Sequence, residues 1–214
     1  RVLANPNAPT GMVLPLSEIE RILSSDPDRV VLVDEAYVDF GAQTALPLLA
    51  KYENLLVVRT YSKSRSMAGA RLGFALGSEA LIGDLETIRF STNPYNLNRL
   101  TLLLGEAAVA DDAYYMENCK KIAATRERTA ARLKELGFTL APSQANFLFA
   151  SHPAVSGETL YSALKLRGVL VRHFKKPRIS EYVRITIGTP EQMEVLFAAI
   201  EDILKGDTAC APQR

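Results

Sequence analysis

The sequence contains no tryptophan, and only two of its 214 residues are cysteines. Cys119 and Cys210 do not have the spacing of metal ligands, and one possible pair does not make the disulfide framework of a small secreted domain. The sequence therefore predicts neither a metal site nor a structural disulfide.

A large net charge and a long apolar run are also lacking. The 25 basic and 24 acidic residues leave a formal net charge of +1, which gives no electrostatic reason to expect nucleic acid or an anionic membrane as a partner. No apolar stretch approaches the roughly 18 residues that span a bilayer, and no signal peptide opens the chain. We therefore expect a cytoplasmic protein. The first residue is arginine rather than methionine, so we also expect a piece of a longer chain.

Short apolar runs alternate with helical patterns, which is typical of an α/β fold. The amino-terminal part shows four strand patterns, in VLA, VVLVDEAY, NLLVVRTYSK and RLGFALG. An S-x-x-E capping box at Ser17 and Glu20 predicts the start of a helix between the first two strands. From Asn98 to Leu136 the pattern is helical with a break near Asp111, and four short strands and a last helix follow. We predict two lobes, residues 1–105 and 106–214.

Polar side chains follow three of the predicted strands. They lie in Asn5–Gly11, Asp34–Tyr37 and Ser62–Lys63. In open α/β sheets the ligand binds beyond the carboxyl ends of the strands. The three segments therefore predict one binding site at that edge of the sheet.

One alternative is a P-loop ATPase, because VVLVDEA also has the pattern of a Walker B strand. That interpretation requires a G-x-x-x-x-G-K-[ST] loop, which these residues lack, and it leaves Lys63 unexplained.

The combination of Lys63 with an acid, a phenol and hydroxyl groups favours pyridoxal phosphate chemistry. A lysine can form a Schiff base with an aldehyde cofactor, which then acts as an electron sink. Asp34 suits the pyridine nitrogen, Tyr37 the 3′ oxygen, and Ser62 and Arg71 the phosphate. Small neighbours of the lysine leave room for the cofactor: Ser64, Ala68, Gly69 and Ala70.

The motifs NPNAPTG, VDEAYVDF, TYSKSRSMAGARLGF, NPYN, SQANFLFA, LVRHF and YVRITIGT occur in this order along almost the whole chain. With these motifs the chain resembles the class I/II aminotransferases of fold type I, and among them the histidinol-phosphate aminotransferases. The resemblance implies part of a cofactor-binding large domain in residues 1–105, and an interdomain helix with a C-terminal α+β small domain in 106–214. It implies the same cofactor roles for Asp34, Tyr37, Ser62 and Arg71, with Lys63 as both anchor and catalytic base.

The resemblance also implies a substrate and a reaction. Arg184 looks like the arginine that binds the substrate anion, assisted by Arg172. The expected activity is transamination between histidinol phosphate and 2-oxoglutarate or glutamate, in histidine biosynthesis, by a homodimer. Two alternatives keep the fold, namely a phosphothreonine decarboxylase-like enzyme and an aromatic amino-acid aminotransferase. A third is a non-enzymatic folding or dimerisation fragment.

Three departures from the family pattern bear on these expectations. Ala8 stands where the family has a cofactor-binding asparagine, so that Asn5, Asn7 or Tyr37 would take its role. Arg65 stands where an aromatic residue is frequent, and either faces solvent or adds charge near the phosphate. The family's longer N-terminal portion is missing, so we expect the 214-residue chain alone to be weakly active or inactive and to bind the cofactor poorly.

Overall fold

The structure, a computed structural model, describes residues 1–206, so Cys210 and the last residues of the predicted second lobe lie outside the described residues. The chain divides into two compact units. Unit 1 comprises Arg1–Asn7 and Val13–Lys120, and unit 2 comprises Ala8–Met12 and the residues from Lys121 onward. The lobe boundary between residues 105 and 106 stays a prediction.

Unit 1 contains a four-stranded sheet in the order β1-β2-β3-β4. Its strands are β1 (Val2–Ala4), β2 (Val31–Asp34), β3 (Leu55–Thr60) and β4 (Gly73–Gly77). The first three strands are parallel, and β4 runs antiparallel to β3. The carboxyl ends of β1, β2 and β3 therefore meet the amino end of β4 at one edge of the sheet. Together with its helices, this sheet confirms the predicted α/β fold class.

Four α-helices belong wholly or partly to unit 1: α1 (Leu16–Ser24), α2 (Glu79–Thr92), α3 (Arg99–Ala110) and α4 (Asp112–Glu135). The predicted break near Asp111 is confirmed, since Asp111 separates α3 from α4. The capping box predicted at Ser17 is wrong: α1 begins at Leu16 after Pro15, so Ser17 lies inside the helix, and no side chain caps it. None of the helices that the structure describes is long and apolar enough to cross a membrane.

The core of unit 1 forms where α1 packs on the parallel strands. Ile19 and Leu23 of α1 are fully buried in one cluster with Val31, Val33, Leu55 and Val57 of β2 and β3. These strands read as continuous apolar runs because both of their faces are covered.

Besides the part of α4 from Lys121 onward, unit 2 contains an antiparallel sheet in the order β5-β6-β8-β7 and two further helices. The elements are β5 (Thr139–Leu140), β6 (Phe147–Ser151), α5 (Gly157–Leu166), β7 (Arg172–His173), β8 (Tyr182–Thr186) and α6 (Pro190–Leu204). One face of this sheet, with Leu148, Ala150, Val183 and Ile185, packs in a single core with both helices. The side chains at the alternate positions of these strands lie on the opposite face of the sheet, outside this core.

Candidate active site

Lys63 lies in the loop that joins β3 to β4. The Tyr61 N–H donates to Leu72 O at 3.0 Å and the Met67 N–H donates to Tyr61 O at 3.0 Å, so both ends of the loop are held. Ser66 and Arg71 both have a φ of 55°, in the left-handed region. For residues other than glycine such a conformation costs about 1–3 kcal/mol and persists only where the surroundings enforce it. The loop is therefore a constrained segment of the fold.

The side chain of Lys63 is exposed, and its Nζ lies 5.4 Å from the centre of the Tyr37 ring. Within residues 1–206 its ammonium has no hydrogen-bond or ion-pair partner. The structure thus brings together two of the residues that the sequence predicts, and it leaves the amine accessible.

Asp34, Ser62 and Arg71 lie at the same edge of the sheet. Asp34 is the last residue of β2, and its Oδ1 accepts a hydrogen bond of 2.9 Å from the Ala36 N–H. Ser62 follows β3, and Arg71 precedes β4 and donates to Ala68 O at 3.0 Å. The antiparallel direction of β4, which the sequence patterns did not predict, is what places Arg71 at this edge.

A chain of polar contacts lies beneath the predicted cofactor residues. Glu35 is fully buried and accepts hydrogen bonds from Arg59 (3.0 and 2.9 Å), Thr44 (3.0 and 2.8 Å) and the Ala45 N–H (2.5 Å). Arg59 also pairs with Asp39 at 3.6 Å. Each buried charge is thus neutralised, as burial of ions requires. Glu35 directly follows Asp34, and Asp39 lies two residues after Tyr37, so this chain of contacts holds the backbone from which the predicted residues project.

Arg65 and Cys119 fill the space beside the junction of α3 and α4. Arg65 pairs with Asp112 and donates to Ala108 O at 3.1 Å, so it neither faces solvent nor remains a free charge. Burial and, to a smaller extent, the nearby Asp39 carboxylate together raise the pKa of the Cys119 thiol to about 11. A thiol with this pKa stays protonated near neutral pH, which excludes Cys119 as a nucleophile there.

The turn after β1 is held by Asn5. Asn5 is only 1% exposed, and its side chain accepts from the Leu14 N–H at 2.7 Å and donates to Leu14 O at 3.3 Å. Both polar ends of Asn5 are therefore engaged with backbone, whereas Asn7 is exposed.

In unit 2, Arg172 and Arg184 lie directly opposite each other on β7 and β8. Neither makes an ion pair with any other described residue, and the buried Nε of Arg184 has no hydrogen-bond partner. Like charges in this position destabilise a sheet unless an anion neutralises them. Both predicted substrate residues therefore lie together on one face, with unused donors.

Aromatic rings lie close to Arg184, and one of them also lies near Arg172, which is exposed. Phe149 is the cross-strand partner of Arg184 on β6, so it lies on the same face. The Arg184 guanidinium lies 4.9 Å from the Phe147 ring centre and 5.9 Å from that of Phe174, and the Arg172 guanidinium lies 5.7 Å from Phe174. Apolar surroundings strengthen the attraction between a guanidinium and an anion.

The sequence patterns missed several residues of these two clusters: Glu35, Asp39, Arg59, Phe147, Phe149 and Phe174. A polar residue inside an apolar strand, such as Arg59 in LLVVRT, is a signal that could have identified the first cluster. The partner of Arg59 was not predictable, because it depends on how β2 and β3 pair.

The model of the family "Aminotransferase class I and II" matches residues 2–200. A histidinol-phosphate aminotransferase of Marinomonas sp. (strain MWYL1) is 54% identical over 204 residues, which is 94% of this chain and 58% of that protein. One from Brachyspira hyodysenteriae is 48% identical, over 95% of this chain and 58% of that protein. The chain therefore spans less than two thirds of the length of these relatives.

Solved structures share the fold. The histidinol-phosphate aminotransferase of Sinorhizobium meliloti in complex with pyridoxal-5′-phosphate superposes with a TM-score of 0.85 at 25% identity, covering 96% of this chain and 57% of that one. The L-threonine-O-3-phosphate decarboxylase of Porphyromonas gingivalis gives 0.83 at 24% identity over 95% of this chain and 64% of that one, a likeness of fold alone.

Proposed function

Because the chain belongs to the aminotransferase class I and II family, we propose that it carries the catalytic lysine and the substrate-anion site of a pyridoxal phosphate-dependent aminotransferase that acts on histidinol phosphate. The single observation that carries the proposal is the accessible, unpaired amine of Lys63 against the Tyr37 ring, at the carboxyl edge of the parallel strands. The relatives about 50% identical to the chain support the choice of substrate.

The residues at this edge fit pyridoxal phosphate by their chemistry. Asp34 has one carboxylate oxygen bound to a backbone N–H and another left for the pyridine nitrogen. Ser62 and Arg71 would supply a hydroxyl and a guanidinium to the phosphate, and Tyr37 would supply a phenol to the 3′ oxygen. The bound cofactor supplies an electron sink for the charge that develops at the substrate Cα.

Lys63 has two tasks in the proposed reaction. It would hold the cofactor covalently, and its amine, once free, would remove the proton from the substrate Cα. The Asp34 carboxylate would lie against the pyridine nitrogen of the bound cofactor and would stabilise positive charge there.

Arg184 and Arg172 would bind the anionic group of the substrate. A guanidinium presents parallel N–H groups that match phosphate or carboxylate oxygens. The unbonded Nε of Arg184 and the cross-strand pairing of the two arginines support this role. The phosphate of histidinol phosphate and the carboxylate of glutamate or 2-oxoglutarate are the anions proposed. A cytoplasmic homodimer completes the proposal and rests on the family resemblance.

The proposal is tested with the full-length protein that contains these 214 residues, and in parallel with the chain alone. Pyridoxal phosphate is added, the complex is reduced with borohydride, and the adduct is located by peptide mass mapping. We expect a red-shifted absorbance band and an adduct on Lys63 in the full-length protein. The control variant Lys51→Ala removes an exposed lysine of unit 1 and should show the same band and the same adduct. Absence of the adduct from the full-length protein would refute the cofactor assignment.

The substrate is tested by comparing amino donors in single-turnover reactions of the full-length protein. Histidinol phosphate is expected to convert the cofactor band at least tenfold more efficiently than phosphothreonine or tyrosine. Equal or greater efficiency with phosphothreonine or tyrosine would contradict the assignment of the donor while leaving the cofactor assignment intact.

A further inference from the structure

The two residues that follow Lys63 are each attached to a different part of unit 1. Ser64 is 7% exposed, and its hydroxyl donates to Oδ2 of Asp39 at 2.5 Å. Asp39 in turn pairs with Arg59, whose guanidinium is held by the buried Glu35. Ser64 is therefore connected, through Asp39 and Arg59, to the fully buried carboxylate of Glu35.

Arg65 provides the second attachment. Its side chain is 16% exposed, pairs with the carboxylate of Asp112 and lies 5.2 Å from the ring centre of Tyr115. It also donates to the carbonyl of Ala108 at 3.1 Å. That carbonyl is one of the last four of α3, which have no partner within the helix, and a cation is favoured at this end of the helix dipole.

Lys63 itself has no such anchor. Its side chain contacts the Tyr37 ring, and the backbone that follows it makes one further local bond, from the Ser66 N–H to Lys63 O at 3.2 Å. The direction in which the long lysine side chain leaves the backbone is therefore set by the attachments of its two neighbours.

We propose that Ser64 and Arg65 are positioning residues that together hold the peptide of Lys63 in the orientation its chemistry requires. The inference rests on the proposed function, because it assigns a catalytic consequence to the orientation of this amine. A displacement of about 1 Å of a reacting group can cost about a hundredfold in rate. Neither residue touches the reacting atoms in this proposal.

The first test needs no cofactor. Hydrogen exchange of the Ser66 and Met67 amides is measured in the full-length apo-protein for Ser64→Ala, Arg65→Met and the control Arg21→Met. Arg21 is an exposed arginine that also pairs with a carboxylate, Glu18 at 2.7 Å, but lies in α1. Exchange should accelerate at least tenfold in the first two variants and stay unchanged in the control. Unchanged exchange in all three would overturn the proposal.

The second test separates positioning from general stability. In the holo-protein, kcat should fall about 10- to 100-fold in Ser64→Ala and Arg65→Met, while KM for the amino donor changes less than threefold. Ser64→Thr keeps the hydroxyl and should restore kcat to within about threefold of the unsubstituted protein. If either of the first two variants does not fold, Ser64→Thr and Arg65→Lys are compared instead. Arg65→Lys keeps the positive charge but loses the planar guanidinium, so it should show the lower kcat of the two.

The outcomes also distinguish this inference from the proposed function. If the unsubstituted protein forms no adduct on Lys63, the function fails, whatever the exchange rates show. If it forms the adduct and turns over but Ser64→Ala and Arg65→Met match Arg21→Met in kcat, positioning by these residues is refuted and the function stands.

Discussion

At the scale of single residues, unused hydrogen-bonding capacity is what marks the proposed sites. Lys63 has an unpaired amine, Arg184 has a buried Nε without a partner, and Arg172 lies opposite a second positive charge. The buried Nε of Arg184 and the two facing guanidinium groups cost folding free energy that a bound anion would recover, whereas the amine of Lys63 is exposed to solvent. By contrast, Glu35 uses its carboxylate fully within the protein.

The proposed anion site predicts the effect of Arg184→Lys. A lysine keeps the charge but cannot present parallel N–H groups, so a charge-assisted bond worth roughly 1.5–3 kcal/mol is weakened. We expect KM for histidinol phosphate to rise about 10- to 100-fold in the full-length protein, measured by steady-state kinetics. Arg178→Lys, an exposed arginine of the same unit, serves as the control. A KM equal to that of the control would contradict the role of Arg184.

At the scale of elements, two similar sequence patterns had different outcomes. Ser17 and Glu20 match a capping box, but α1 begins before them and no cap forms. Thr189 and Gln192, which the sequence patterns did not single out, form both bonds of a capping box at the start of α6, with Pro190 as the first helical residue. The motif is equally compatible with the interior of a helix, so the packing of the neighbouring segments decides where the helix starts.

The cap of α6 can be tested by Thr189→Ala. The substitution removes the acceptor of the Gln192 N–H, and we expect the free energy of unfolding to fall by about 1 kcal/mol. Chemical denaturation of the full-length protein measures the change. Glu194→Ala, at an exposed position in the same helix, should stay within about 0.5 kcal/mol of the unsubstituted protein. Equal losses in both variants would contradict a specific capping effect.

At the scale of the whole molecule, each unit has its own apolar core. One cluster draws its buried residues from unit 1 and the other from unit 2. The contact-based division, after Lys120 within α4, differs from the boundary near residue 105 predicted from the helical pattern. The two boundaries assign residues 106–120 to different units, so an experiment on this segment can distinguish them.

Leu164→Ala provides that experiment. Leu164 is fully buried in the core of unit 2, and its truncation should cost about 2–5 kcal/mol. Hydrogen exchange of the full-length protein should accelerate in β6 and β8, while amides of residues 106–120 keep their protection if they belong to unit 1. Leu170→Ala, at a position 76% exposed, is the control. Acceleration in 106–120 equal to that in β6 would support the boundary near residue 105.

Local patterns were sufficient for the α/β class, for most strands and helices, and for naming Asp34, Tyr37, Ser62, Lys63 and Arg71 as candidates. They were sufficient because apolar periodicity depends on neighbouring residues, and because polar groups at strand ends occupy recognisable positions.

Helix α5 was not predicted, although Ser156 caps it, because Gly157 at its start signals a break in sequence. In the structure a Cβ there would lie 2.4 Å from Ser180 O, so the glycine permits close packing.

The order of residues along the chain was enough to identify the family, the fold class and the residue types available to the site. Which residues lie together became visible only in the folded chain: Glu35 pairs with Arg59, Ser64 with Asp39 and Arg65 with Asp112, and Arg172 lies opposite the like charge of Arg184. The reason is physical. Strand order, strand direction and register bring together residues that are far apart in the chain, and the cost of burying or crowding charge depends on those neighbours rather than on local sequence.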